Sequence, residues 1–212
     1  MTEEPPPGVP PGPPDFTIRP FAPGDLDDLN LVCLRTAAAG GDASALVDDP
    51  LLFGAIWAAP YAVLEPEHCH VLADPEGRVV GYVLGTVDAV AFEERCERSW
   101  WPELRERHPL AADGERLDDL LIALIHHRPL PRWDLHDDFP AELHIDLLPE
   151  AQGQGWGRRL LEEFLAGLRR AGVAGVHLGV SVENTRATAF YRHLGFNEHD
   201  CDGVTRTFTM RL

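Results

Sequence analysis

Apolar and polar positions change period repeatedly along the chain, and each change marks an element. Phe16 to Arg19 reads as a short strand. After Pro23 and Gly24, the residues Leu26, Leu29, Leu31, Val32 and Leu34 make a helical stripe, and a second helical stretch covers about Leu51 to Leu64. His68 to Ala73 and Arg78 to Val87 are apolar runs of strand length separated by Asp74, Pro75, Glu76 and Gly77, a hairpin turn signal. From Ala89 to Pro140 the pattern is helical and polar, with Phe92, Cys96 and Trp100 at intervals of four, a helix near Leu117 to Ile125, and breaks at Pro129, Pro131 and Pro140. There follow a strand (Ala141 to Leu148), a helix (Gly155 to Ala171), a strand (Val176 to Val182), a helix (Thr185 to His193) and a strand (Val204 to Leu212). A hairpin followed by strands alternating with helices implies a mixed sheet flanked by helices, the α/β or α+β class.

Composition narrows the picture. Seven of the 19 prolines fall between Pro5 and Pro14, so residues 1–14 read as a Pro-rich tail, leaving 15–212 as one domain with a helical insert at about 96–140. The formal net charge is −17, and all 18 basic residues are Arg, with no lysine. Such a surface repels phosphate backbones, which argues against a nucleic-acid partner, and it favours approach of cations. The missing lysine removes Schiff-base chemistry and the lysine of an ATP-binding P-loop. Cys33, Cys69, Cys96 and Cys201 form no CxxC pair, and no disulfide framework or metal site is expected. No apolar run reaches the roughly 18 residues of a membrane span, and the first residues lack the features of a signal peptide, so no membrane association and a cytoplasmic location are expected.

The segment Gln152 to Gly157 reads QGQGWG, follows a strand closed by Pro149, and opens a helix with the apolar stripe Trp156, Leu160, Leu161, Phe164, Leu165 and Leu168. Unpaired amides and the positive dipole end at such a start suit a pyrophosphate, with Arg158 and Arg159 adding charge. The rival readings are a tight strand-to-helix turn and a dinucleotide fingerprint, although the latter requires GxGxxG where this segment has GxGxG. A second block follows the next strand: Glu183 and Asn184, then Ala187, Phe190, Tyr191, Gly195 and Phe196. Asn184 is placed to cap the helix, Gly195 to end it, and Tyr191 shares a face with Ala187.

On these residues the chain resembles the GNAT acetyltransferase superfamily. Gln152, Gly155 and Gly157 match its acetyl-CoA signature Q/R-x-x-G-x-G/A, and Asn184, Ala187, Phe190, Tyr191, Gly195 and Phe196 match its downstream block N-x-x-A-x-x-F-Y-x-x-x-G-F. The runs GYVLGTVDAVAFEERC, SWWPELRERHP and ELHIDLLPEAQGQGWG are similar to the acetyltransferase-like domain at the C-terminus of eukaryotic O-GlcNAcase and its free-standing bacterial relatives. The resemblance implies a GNAT fold, a mixed sheet of six or seven strands splayed between two central ones. Acetyl-CoA would enter the splay as co-substrate, held by Gln152, Gly153, Gln154, Gly155, Trp156, Gly157 and Arg158 at its pyrophosphate, and along Leu147 and Leu148 at its pantetheine arm. Asn184, Ala187 and Tyr191 would complete the cofactor side. The implied activity is acetyl transfer to an amine acceptor, whether a small amine, a peptide or a protein lysine. The alternative is a CoA-binding or protein-interaction pseudo-acetyltransferase without turnover.

Chemistry assigns the proton carriers. An alkyl ammonium with a pKa near 10.4 is protonated by about 3.4 units at pH 7, a deficit of roughly 4.6 kcal/mol. Strand alternation places Glu142, His144 and Asp146 on one face. Asp146, nearest the ligand loop, is the first candidate base, with His144 and Glu142 next and Glu183 a further carboxylate for the same cleft. Tyr191 is the candidate acid for the departing thiolate. Trp100, Trp101 and Trp133 of the insert are read either as a cover over the acceptor side or as core packing or a homodimer contact.

Overall fold

The computed structural model describes residues 16–111, 114–129 and 132–212, so the Pro-rich tail lies outside the described residues. The strands are β1 (Thr17–Pro20), β2 (His70–Ala73), β3 (Val79–Thr86), β4 (Ala141–Leu147), β5 (Gly175–Ser181), β6 (Asn197–Cys201) and β7 (Thr205–Arg211). They form one seven-stranded sheet in the order β1-β2-β3-β4-β5-β7-β6. Every neighbouring pair is antiparallel except β4 and β5, which run parallel, so the sheet is mixed as expected. The helices are α1 (Leu26–Leu34), α2 (Leu52–Trp57), α3 (Ala59–Leu64), α4 (Ala89–Ser99), α5 (Trp101–Arg107), α6 (Leu117–His126), α7 (Trp133–His136), α8 (Trp156–Arg170) and α9 (Thr185–His193). None of the described helices is long and apolar enough to cross a membrane.

Two elements differ from the sequence expectation, each for a local reason. Residues 51–64 form two short helices rather than one, because Pro60 near the start of α3 has no N–H to continue the α2 ladder and Ala58 turns out of helical geometry. The edge strand β6, NEHDC, is exposed along its whole length and shows no apolar alternation. Its ladder pairs it with β7, ion pairs tie Glu198 to Arg192 of α9 and Asp200 to Arg132, and its charges suit an uncovered sheet edge.

The two faces of the sheet bury different helices. Leu160, Leu161, Phe164, Leu165 and Leu168 of α8 are buried against β2, β3 and β4. At roughly 1.5–3 kcal/mol per fully buried large apolar side chain, this stripe anchors the helix whose first turn opens the site. Gly85 on β3 is required there, since a β-carbon would lie 2.7 Å from the Phe164 ring and 2.0 Å from the Glu142 carbonyl oxygen. The opposite face is covered by α1 and α3.

The insert is built on side-chain anchors. Asp88 caps α4, accepting from the N–H groups of Val90 and Ala91, both at 3.0 Å. Trp101 is 1% exposed, carries the Arg128 guanidinium 4.3 Å above its ring and donates to Glu93 at 2.9 Å. The Trp100 indole donates to the Ala55 carbonyl at 2.9 Å, tying the insert to α2. From α6, the buried Asp118 carboxylate accepts backbone N–H groups of Asp48 and Asp49 at 2.9–3.1 Å, fastening the long loop that follows α1.

Candidate active site

The parallel ladder between β4 and β5 holds only at Ala141–Val176 and Glu142–His177, and beyond Glu142 the strands separate into a V. On its other side β4 stays paired with β3 through Leu147. The Leu148 N–H donates to the Val80 carbonyl at 2.8 Å, and the alternation of an antiparallel ladder then turns the amides of Ile145 and Leu147 away from β3 and toward the gap. The Leu147 carbonyl accepts from the Gln152 amide at 2.6 Å, which pins the glycine loop to the strand end.

That loop enters α8 through two residues in the left-handed region, Gly153 at φ 75° and Gly155 at φ 84°. Side chains rarely adopt this backbone, and a β-carbon on either glycine would meet no protein atom within 4 Å. The loop therefore presents bare backbone to open space in front of the first, unpartnered amides of α8. Gly157 has a different neighbour: a β-carbon there would lie 3.3 Å from the Phe190 ring, so this third glycine lets α9 pack against α8.

These parts surround a cleft of about 440 Å³. Its lining includes Leu147, Gln152, Gly153, Gly155, Gly157, Arg158, Asn184, Ala187, Tyr191 and Asp146. Leu148, Gln154, Trp156 and Glu183 do not line it. Leu148 is buried with its amide spent on β3, and Gln154 is exposed, donating to the Glu150 carbonyl. Trp156 packs beneath Arg159 and edge-on to Phe16, and Glu183 is exposed. Arg159 is thereby drawn away from the cleft, and Arg186 takes its place, bonded to Gln152. Trp100, Trp101 and Trp133 contribute nothing to the lining. The first two are anchored as described, and Trp133 is 61% exposed against His136, so these tryptophans form no cover over this cleft.

Asn184 caps α9, accepting the Ala187 N–H at 2.9 Å. Its amide lies 3.1 Å from where a β-carbon of Gly40 would stand, so the loop after α1 closes on the α9 cap, with Thr36, Ala39 and Gly40 walling that side of the cleft. Sequence reasoning missed this wall, Arg186 and His193, and it noted Phe190 only as part of the family block, not as a lining residue. The small-residue run 37–41 shows no period, and nothing in it specifies an approach to a residue more than 140 positions away.

Asp146 and Tyr191 face each other across the V. Burial pushes the Asp146 carboxyl above its ordinary range, opposed by a hydrogen bond from Tyr82, by the neighbouring His144 and by Thr36. The Tyr191 ring is buried among Phe190, Phe196 and Phe208, and its hydroxyl is raised above the ordinary phenol value first by burial and then by the Asp146 charge. Both groups hold a proton more firmly than in water, as an acceptor of protons and a neutral donor must. Farther back on β4, the Tyr61 hydroxyl donates to Glu142 at 3.0 Å and lies 3.3 Å from His144 Nε2. That ring stacks on Phe92. Glu142 and His144 thus belong to a separate cluster and do not line the cleft.

A sheet split beside a glycine-gated helix start, with an acid and a phenol across the gap, defines a transferase-type cleft. Residues 44–196 match the Acetyltransferase (GNAT) family, and the chain belongs to it. It is 28% identical over 184 residues to Protein O-GlcNAcase of Rattus norvegicus, a match covering 85% of this chain and 20% of that protein, so the chain spans about a fifth of the relative's length. It is 34% identical over 128 residues to Mycothiol acetyltransferase of Geodermatophilus obscurus, covering 54% of this chain and 40% of that one. Among solved structures it is similar to that of SsHAT, with 41% identity, a TM-score of 0.86, and coverage of 93% of this chain and 98% of that one.

Proposed function

We propose that the protein is an acetyl-CoA-dependent N-acetyltransferase. The observation that carries this reading is the V between β4 and β5, which opens bare amides, Arg158 and Arg186 at one end and Asp146 with Tyr191 at the other. Acetyl-CoA supplies the activated acetyl thioester. The amides of Gly157 and its neighbours at the start of α8, with Arg158 and Arg186, bind the pyrophosphate. The outward N–H groups of Ile145 and Leu147 hold the pantetheine arm and polarise the carbonyl. Asp146 accepts one proton of the incoming ammonium and later passes it to solvent, the neutral amine forms the new C–N bond, Tyr191 gives its proton to sulfur as the C–S bond breaks, and the resulting phenolate takes back the second proton from the nitrogen, leaving a neutral amide and free CoA thiol. Three buried, unpaired cysteines fit a reducing, cytoplasmic setting.

A panel of primary amines, including a small alkylamine, an alanine-terminated peptide and a lysine peptide, incubated with acetyl-CoA, tests this. Release of free CoA thiol above the amine-free blank is expected with at least one. Tight acetyl-CoA binding with no thiol release from any of them would replace the enzyme by the CoA-binding module without turnover.

A further inference from the structure

Tyr82 is 0% exposed and lies on β3 directly opposite Asp146 in the antiparallel register. Its hydroxyl donates to Asp146 Oδ2 at 2.7 Å. Tyr82 is not among the residues that line the cleft. A phenol has one proton to give, and here it goes to one oxygen of the carboxylate, leaving the lone pairs of Oδ1 for a proton arriving from the cleft.

We propose that Tyr82 is the positioning residue for Asp146: its hydroxyl fixes the carboxylate through Oδ2 and keeps it ionised and oriented for the acceptor amine. This rests on Asp146 being the base. The groups facing Asp146 are few. From α1 comes Cys33 and from the turn after it Thr36, from its own strand His144, from α9 Tyr191, and from β3 Tyr82. Cys33 is buried and its thiol is pushed up to about 12, so it carries no charge at working pH. The Thr36 hydroxyl donates to the Val32 carbonyl at 2.8 Å, which leaves its proton committed to the helix. Tyr191 is neutral and must remain free to give its own proton away. Tyr82 is therefore the buried donor committed to the carboxylate, and without it the burial of Asp146 is opposed only by the smaller effects of His144 and Thr36.

Kinetics across pH separate this role from packing. In Tyr82→Phe, which keeps the ring, the acidic limb of kcat/KM should move up by about one pH unit, the scale of a hydrogen bond to a charged group, while KM for acetyl-CoA stays within about twofold. Asp146→Asn, run in parallel, should lose that limb. If the limb is lost in Asp146→Asn but unmoved in Tyr82→Phe, Tyr82 is a packing residue and the inference fails while Asp146 stands as base. If Asp146→Asn keeps the limb, the base is elsewhere and the earlier reading fails first. Should Tyr82→Phe not fold, proton NMR of the wild-type protein decides. The buried Tyr82 hydroxyl should give a slowly exchanging downfield resonance that shifts in step with the Asp146 carboxyl titration, and a resonance insensitive to that titration would overturn the proposal.

Discussion

The two walls of the cleft are made in different ways. The wall formed by β4, α8 and α9 is backbone work: left-handed glycines at 153 and 155, a carbonyl pinned by Gln152, and a cap from Asn184. The opposite wall, the loop after α1, turns locally, with the Gly40 N–H donating to the Thr36 carbonyl at 2.9 Å, but its far end is fastened by side chains reaching across long stretches of sequence, Asp118 to the amides of Asp48 and Asp49 and Arg116 to Asp48 at 2.6 Å. In the first of these walls the side chains that hold the backbone, Gln152 and Asn184, lie within a few residues of the groups they bond. A wall tied by cross-links can be tuned by changing one residue in the insert.

The largest effect should come from Tyr191→Phe. It keeps the ring among Phe190, Phe196 and Phe208 and removes only the hydroxyl, so kcat should fall by about 10²-fold or more while acetyl-CoA affinity, measured by calorimetry, hardly changes. Proportionate loss of both would make the tyrosine a packing residue.

Asp118→Ala should act on the other wall alone. Losing charge-assisted bonds to two amides that are then left without a partner should cost about 2 kcal/mol in denaturant unfolding and raise KM for the acceptor more than for acetyl-CoA. The carboxyl of Asp118 is held below its ordinary value, with burial opposing and the Asp49 and Asp48 amides prevailing. Its contribution is therefore present above the unfolded carboxylate range and is lost as pH falls through the lower folded value. Wild-type stability should drop more steeply than that of Asp118→Ala below about pH 4.

Asp146 carries the opposite sign. Its folded pKa is raised, so the native state binds more protons and stability falls as pH rises from the unfolded value through the folded one. Asp146→Asn should consequently raise Tm at neutral pH even as it removes the acidic kinetic limb; a lower Tm would show the carboxylate to be a net stabiliser. The smallest effect concerns salt. With a formal charge of −17 attracting a cationic amine, kcat/KM for the acceptor should fall with rising ionic strength at saturating acetyl-CoA, and a flat profile would remove the attraction.

The same contrast explains what the sequence disclosed. Gly153, Gly155 and Asn184 are legible because the conformations they permit are local, whereas the V beside them was implied by the family resemblance and not by any strand or helix period. Alternation on β4 put Asp146 on a polar face, yet it also placed Glu142 and His144 there, and only the contact of Tyr61 with both separates them from the cleft. Glu183 stands beside Asn184 in sequence, but the turn into α9 leaves it exposed. Thr36, Gly40 and Tyr82 left no signal, because their roles depend on tertiary approach: a loop meeting a helix cap and a register pairing two strands. The strand β6 was invisible for a related reason, having no apolar face to alternate.

The sharpest measurement is a calorimetric titration of acetyl-CoA into the wild type, Gly155→Val and Gly172→Val. Both glycines have left-handed backbone, φ 84° and 74°, and a β-carbon on either meets no protein atom within 4 Å, but only Gly155 lines the cleft. The strain introduced is comparable, of order 1–2 kcal/mol in each variant. Affinity should fall at least tenfold in Gly155→Val, about 1.4 kcal/mol, and remain at the wild-type value in Gly172→Val. Equal affinity in all three folded proteins would place the cofactor somewhere other than the bare backbone at the start of α8.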